Sequence, residues 1–94
     1  MEIRHQIVDN KGSFYIELDG ERVAELEYSK AGEHRIIISH TEVSPVLKGK
    51  SAGKQLVTAA VEYARKNNIK ILPLCPFARS VFEKVPAFAD VWDK

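Results

Sequence analysis

The sequence predicts an α+β fold, and three observations carry the prediction. In the first half of the chain apolar and polar residues alternate, the signature of half-buried strands. The period then changes, with Leu56, Val57, Ala60, Val61 and Ala64 recurring at helical spacing. A short apolar run follows, so the second half reads strand, helix, strand. A crossover of that kind is right-handed and leaves its two strands parallel.

The elements follow in order. Ile3, His5 and Ile7 share one parity before the turn cluster Asp9-Asn10-Lys11-Gly12. Phe14 to Leu18 reads as a strand, with Asp9–Ser13 as a short turn before it. Asp19-Gly20 marks a two-residue hairpin, because a type I′ turn needs positive φ at both central positions. From Arg22 to Ser29, Ala24, Leu26 and Tyr28 occupy one face, Glu25 and Glu27 the other. His34 to Val43 is a fourth strand around Ile36-Ile37-Ile38, three β-branched residues that suit a pleated surface. These four strands form an antiparallel meander. A helix is expected from Ser51 to Asn67, then a buried strand from Ile69 to Leu74, parallel to His34–Val43. Pro76 suits the first turn of a further helix, where its missing N–H is not needed. Val81, Phe82 and Val85 give that helix its apolar face and Pro86 ends it. Phe88, Val91 and Trp92 pin the remaining tail. Phe14, Tyr15 and Tyr28 are read as core.

With 94 residues the chain is one domain, spanning 1–94. Apolar residues at 45% and charged residues at 29% exclude a disordered or collagen-like chain. Lys plus Arg is 14 against 13 Asp plus Glu, a net charge of +1, which argues against a nucleic-acid partner. No apolar run approaches the length of a membrane span, and Met1-Glu2-Ile3-Arg4-His5 does not open a signal segment. The single cysteine, Cys75, cannot form an internal disulfide. The expectation is a cytoplasmic protein, monomer or weak homodimer, with no membrane partner. One Cys and three scattered His do not make a zinc site, so no metal is expected.

Chemistry concentrates between Lys48 and Lys54, the stretch Lys48-Gly49-Lys50-Ser51-Ala52-Gly53-Lys54. It follows a strand and opens a helix. Small residues let a ligand approach the backbone, free N–H groups at a helix start point outward, and the helix dipole favours an anion. Three lysines add positive charge. This reads as a cradle for phosphate or pyrophosphate. The plainer reading is a loop kept soluble by its lysines and capped by Ser51. Two nucleotide motifs fail: a Walker A loop would need Gly at Lys48 and a hydroxyl at Gln55, and Gly49 and Gly53 cannot supply Gly-x-Gly-x-x-Gly.

The same stretch resembles motif A of the GNAT superfamily of acyl-CoA-dependent N-acyltransferases, Arg/Gln-x-x-Gly-x-Gly/Ala. Lys48 stands for Arg/Gln, Ser51 for the first motif glycine, and Gly53 matches strictly. The order of elements is the GNAT order without its N-terminal helices. Cys75-Pro76-Phe77-Ala78, Phe82-Glu83-Lys84 and Phe88 follow the family's spacing after the fifth strand. His40-Thr41-Glu42-Val43 and Leu74-Cys75-Pro76 resemble a compact single-domain subgroup of predicted N-acetyltransferases.

The resemblance implies that the chain transfers acetyl from acetyl-CoA to an amine, a lysine side chain or a small amine. The alternative it leaves is a module that binds CoA or acyl-CoA with little turnover. The fourth and fifth strands would splay around the co-substrate, with Thr41, Glu42 and Val43 along its pantetheine arm. Lys48, Gly49, Lys50, Ser51, Ala52, Gly53 and Lys54 would hold its phosphates. Cys75 and Phe77 would complete the binding set, with the acetyl group near His40 and Cys75. For catalysis, His40 offers an imidazole, the side chain suited to proton exchange near neutrality. Glu42 suits the same role where burial raises a carboxyl's proton affinity. The family's usual acid is a Tyr, here Phe82, and its usual Asn is Cys75. A thiol at a helix N-terminus is acidified, so Cys75 could donate a proton or take the acetyl group as nucleophile.

Overall fold

The computed structural model describes residues 2–94. A five-stranded sheet in the order β1-β2-β3-β4-β5 is built from Arg4–Val8, Lys11–Leu18, Glu21–Lys30, Arg35–Val43 and Lys70–Pro73. The first four strands form the antiparallel meander, and β5 pairs parallel to β4. Helix α1, Ala52–Lys66, makes the crossover between β4 and β5, and α2, Pro76–Lys84, follows β5. A short 3-10 turn, Pro45–Leu47, precedes α1, and another, Pro86–Val91, follows α2.

One apolar cluster joins the helices to the sheet. Phe14 and Ile16 of β2, Leu26 and Tyr28 of β3, and Ile36 and Ile38 of β4 meet Leu56, Val57, Ala60 and Val61 of α1. Alternation carries that face of each strand into the core and leaves the other uncovered. Tyr15 therefore departs from the sequence reading: it lies one residue out of phase with Phe14, on the open face, and the Arg22 guanidinium stacks on its ring at 3.8 Å. Turn chemistry follows the sequence at Asp19-Gly20, where φ is 54° and 82°. The first hairpin is tighter than expected, because β2 already starts at Lys11 and only Asp9-Asn10 turn.

All of β1 is exposed, yet His5 ties it to the core. Its Nε2 lies 2.6 Å from the buried Tyr28 hydroxyl, and its ring stacks on Phe14 at 4.0 Å. Desolvation, then the Lys30 charge, holds this imidazole below its ordinary pKa. The tail after α2 is pinned as expected. Phe88 and Trp92 pack on Phe82, and Arg65 forks onto Asp90 and the Ala87 carbonyl. Trp92 also makes a parallel bridge with Ile71 of β5. Among the described residues no helix is long and apolar enough to cross a membrane.

Candidate functional site

Strand β4 outlasts its partner. It pairs with β5 only from Arg35 to Ile38, opposite Lys70 to Pro73, and then runs on to Val43 beside β3 alone. The parallel pairing expected between these strands is present but short, and the reason is local. Pro73 has no N–H to extend a ladder. The amides of Leu74 and Cys75 both donate to the Ile38 carbonyl, at 3.0 and 3.1 Å, and Pro76 then starts α2. Beyond Ile38 the edge of β4 at residues 39–43 has no strand partner, and this break in the ladder is the gap beside the beginning of α2.

A β-bulge sets which side chains face that gap. Tyr28 pairs with Ile38 and Glu27 with His40, so Ser39 is an extra residue on β4. Beyond it, Thr41 lies opposite the buried Leu26, on the helix-covered face. Its Oγ1 is 3.4 Å from the Cys75 sulfur. Burial pushes the Cys75 thiol pKa up, but the Thr41 hydroxyl and backbone hydrogen bonds of Ala78, Phe77 and Thr41 outweigh it and leave the thiol below its ordinary value. Sequence position alone suggested this acidification; the share of Thr41 in it was not visible there.

His40 and Glu42 go the other way. They lie opposite Glu27 and Glu25 on the open face, bonded to each other at 3.2 Å between Nε2 and Oε2. Glu42 is exposed, not buried. The four residues His40 to Val43 therefore split by parity, two on each side of the sheet.

The loop before α1 is anchored and left uncapped. Leu47 is buried, and the Ser44 hydroxyl accepts from the Val46 amide at 3.3 Å. Gly49 takes a φ of 80°, a conformation side chains disfavour. Ser51 also sits left-handed, at 55°, and makes no side-chain cap, contrary to the plain capped-loop reading. The Gln55 side chain instead donates to the Lys50 carbonyl at 2.9 Å. The first turn of α1 holds no acidic residue, while Lys48, Lys50 and Lys54 are exposed around it. Gly53 is needed for closeness: a Cβ there would fall 2.6 Å from the Phe77 ring. The start of α2 thereby rests on the start of α1.

Val43, Val46, Leu74 and Phe77 are large apolar side chains left exposed at this end of the molecule. Leu74, expected inside the buried strand, instead lies past its end at Pro73 and is exposed, and nothing in the spacing separated Val46 from core residues. Among the described residues no three His, Cys, Asp or Glu side chains are grouped to hold a metal.

The arrangement has close relatives. The sequence profile of the GCN5-related N-acetyl-transferase family matches residues 13–91. The NMR structure of a candidate GCN5-like N-acetyltransferase from Staphylococcus aureus is 40% identical, with a TM-score of 0.75 over 98% of this chain and 87% of that one. A ribosomal-protein-alanine N-acetyltransferase from Brucella melitensis shares the fold at 17% identity and a TM-score of 0.67, over 81% of this chain and 62% of that one. So does an aminoglycoside N-acetyltransferase solved with CoA, at 13% identity and a TM-score of 0.64, over 88% of each chain. No curated protein sequence matches the chain. On the extent of the family match and the likeness to the Staphylococcus aureus protein, this chain belongs to the GCN5-related N-acetyltransferase family.

Proposed function

We propose that the chain transfers acetyl from acetyl-CoA to an amine, a small amine or a lysine side chain. The observation that carries this is the gap beside β4, spanned by the Thr41–Cys75 contact and flanked by the uncapped, lysine-ringed start of α1. A chain with a pyrophosphate at one end and a thioester at the other fits that layout. The backbone from Lys48 to Lys54 would hold the phosphates, and Thr41, Val43, Cys75 and Phe77 the arm. Glu42, on the opposite face from Thr41, serves the acceptor instead.

Acetyl-CoA supplies the activated acyl group as a thioester; the chain supplies proton handling on both sides of the sheet. His40 and Glu42, hydrogen-bonded on the open face, take one proton from the acceptor ammonium. The nitrogen lone pair forms the C–N bond, the C–S bond breaks, and its electron pair leaves on sulfur. The second nitrogen proton neutralises that thiolate, either directly or by relay, Cys75 giving its proton to the thiolate and being reprotonated from nitrogen. Cys75, lowered in pKa beside Thr41, is placed to donate in direct transfer or, as thiolate, to accept the acetyl group first. A second reading, a CoA-binding module with little turnover, is favoured by Phe82: it is buried against Phe88 and Trp92 and brings no hydroxyl. The unpaired thiol of Cys75 suits the reducing cytoplasm.

Calorimetric titration with CoA, followed by mass spectrometry of amine pools incubated with acetyl-CoA, tests both readings. Acetylated amine supports transfer; tight CoA binding without product supports the module. No binding of CoA removes both.

A further inference from the structure

On the edge of β5 away from β4 lies a hollow of about 360 Å³. Leu72, Pro73 and Leu74 floor it, Trp92 walls it, and Arg79 and Lys94 stand at its rim. Its position follows from the parallel bridge between Trp92 and Ile71 and the Asp93 amide, which donates to the Ile71 carbonyl at 2.8 Å. The parallel run carries residues 93 and 94 toward the carboxyl end of β5, where α/β sheets bind ligands. Cys75 and α2 begin at that same end, and the Arg79 amide donates to the Cys75 carbonyl at 3.0 Å. Leu72, paired with Ile37, lies on the open face of the sheet with His40 and Glu42.

Two cations, Arg79 and Lys94, and one carboxylate, Asp93, line the hollow. Asp93 faces it but is engaged by Arg35 at 3.3 Å. Among the described residues the carboxylate nearest Arg79 is that of Glu83, at 3.9 Å, and both side chains are largely exposed. The Lys94 ammonium sits 4.7 Å from the centre of the Trp92 ring. Two cations over an apolar floor suit a ligand with an apolar body and one carboxylate, since guanidinium and carboxylate form the strong charge-assisted pair.

We propose that this hollow seats the acceptor, and that the acceptor is an amino acid with an apolar side chain. Its carboxylate meets Arg79 and Lys94, its apolar side chain covers Leu72, Leu74 and Trp92, and its ammonium faces His40 and Glu42. The proposal rests on the acetyl-transfer reading and names the class of amine.

Trp92 is the only tryptophan, so its fluorescence reports on the hollow directly. L-leucine, 4-methylpentanoate (no amine) and isoamylamine (no carboxylate) are titrated into the full chain, and CoA into the same preparation. Leucine and 4-methylpentanoate are expected to shift Trp92 emission saturably, and isoamylamine to leave it unchanged. Arg79→Gln, at an exposed position that keeps the fold, is expected to weaken leucine binding about tenfold, the effect of one charge-assisted hydrogen bond. Equal binding of isoamylamine, no shift with leucine, or unchanged affinity in Arg79→Gln overturns the proposal. If CoA binds and other amines are acetylated while leucine leaves Trp92 untouched, the hollow fails and the transfer reading stands. If leucine binds through Arg79 but CoA does not bind, the hollow is a carboxylate site and the transfer reading fails.

Discussion

The two halves of β4 make different use of one strand. From Arg35 to Ile38 it is paired on both edges, and Ile36 and Ile38 are fully buried. From Ser39 to Val43 it is paired on one edge only, bulged at its start, and exposed at every residue but the half-buried Thr41. The difference teaches that access here comes from ending a partner strand early. The same backbone holds the sheet together over one stretch and offers free edge groups over the next.

Mutations can break that contrast or sharpen it. The largest effect on stability belongs to the doubly paired half. Ile38→Ala leaves a cavity among Leu56, Tyr28 and their neighbours and is expected to destabilise by about 2–5 kcal/mol. Val43→Ala, in the half-open stretch, should lie within about 1 kcal/mol of the parent; chemical denaturation of the pair reads the difference. A similar loss for both would mean the two halves are equally braced.

Ligand binding should show the reverse. Gly53→Glu places a side chain where even a Cβ meets the Phe77 ring, and adds a negative charge at an anion-seeking helix start. CoA affinity should fall below detection by calorimetry. Combining Gly53→Ala with Phe77→Ala relieves the contact, so the double variant should be more stable than Gly53→Ala alone. If it is not, the two helix starts do not rest on each other.

The thiol tests the gap itself. With its pKa lowered, Cys75 should react with iodoacetamide at a lower midpoint pH than a free thiol, and CoA should protect it. Thr41→Val should raise that midpoint. The folded pKa is below the unfolded one, so the thiolate's contribution to stability is present above the unfolded value of about 8.5 and lost as pH falls through the folded value. A midpoint unmoved by Thr41→Val would show that backbone groups alone acidify the sulfur.

His5 provides a further test, reaching the doubly paired half only through Tyr28. Its folded pKa is also lowered, so the unfolded chain binds the extra proton. Stability gained from neutral His5 is full above about 6.5 and declines as pH falls toward the folded value. Denaturation midpoints should drop on mild acidification, and His5→Gln should flatten the drop. The smallest effect is electrostatic: Lys48→Ala should soften the fall of CoA affinity with salt, because loop lysines in partial solvent are screened within about 10 Å.

Much of the frame could be read before the structure. Alternation in Arg22–Ser29, the Asp19-Gly20 turn and the helical period from Leu56 to Ala64 each have a local physical cause, and each element stands where that cause puts it. The site was legible in part, as the lysine loop and as Cys75 at a helix start. Its sidedness was not. One extra residue at Ser39 reverses the parity of everything after it, and no residue type demands a bulge there. Without that count, His40, Thr41, Glu42 and Val43 look like one lining. Tyr15 escaped for a related reason: composition marks it as apolar, while the strand's phase and Arg22 make it a surface ring.

The Ile38 carbonyl, which receives the amides of both Leu74 and Cys75, closes the ladder with a single acceptor. Such an ending has no last rung that frays by itself. The exit of β5 and the start of α2 hang from the same oxygen, so an opening that withdraws it frees both amides together. In deuterated water Leu74 and Cys75 should share one protection factor, that of an opening which widens the gap. A ligand lying in the gap should slow both amides by the same factor, giving a clock for its dwell time in two adjacent backbone signals.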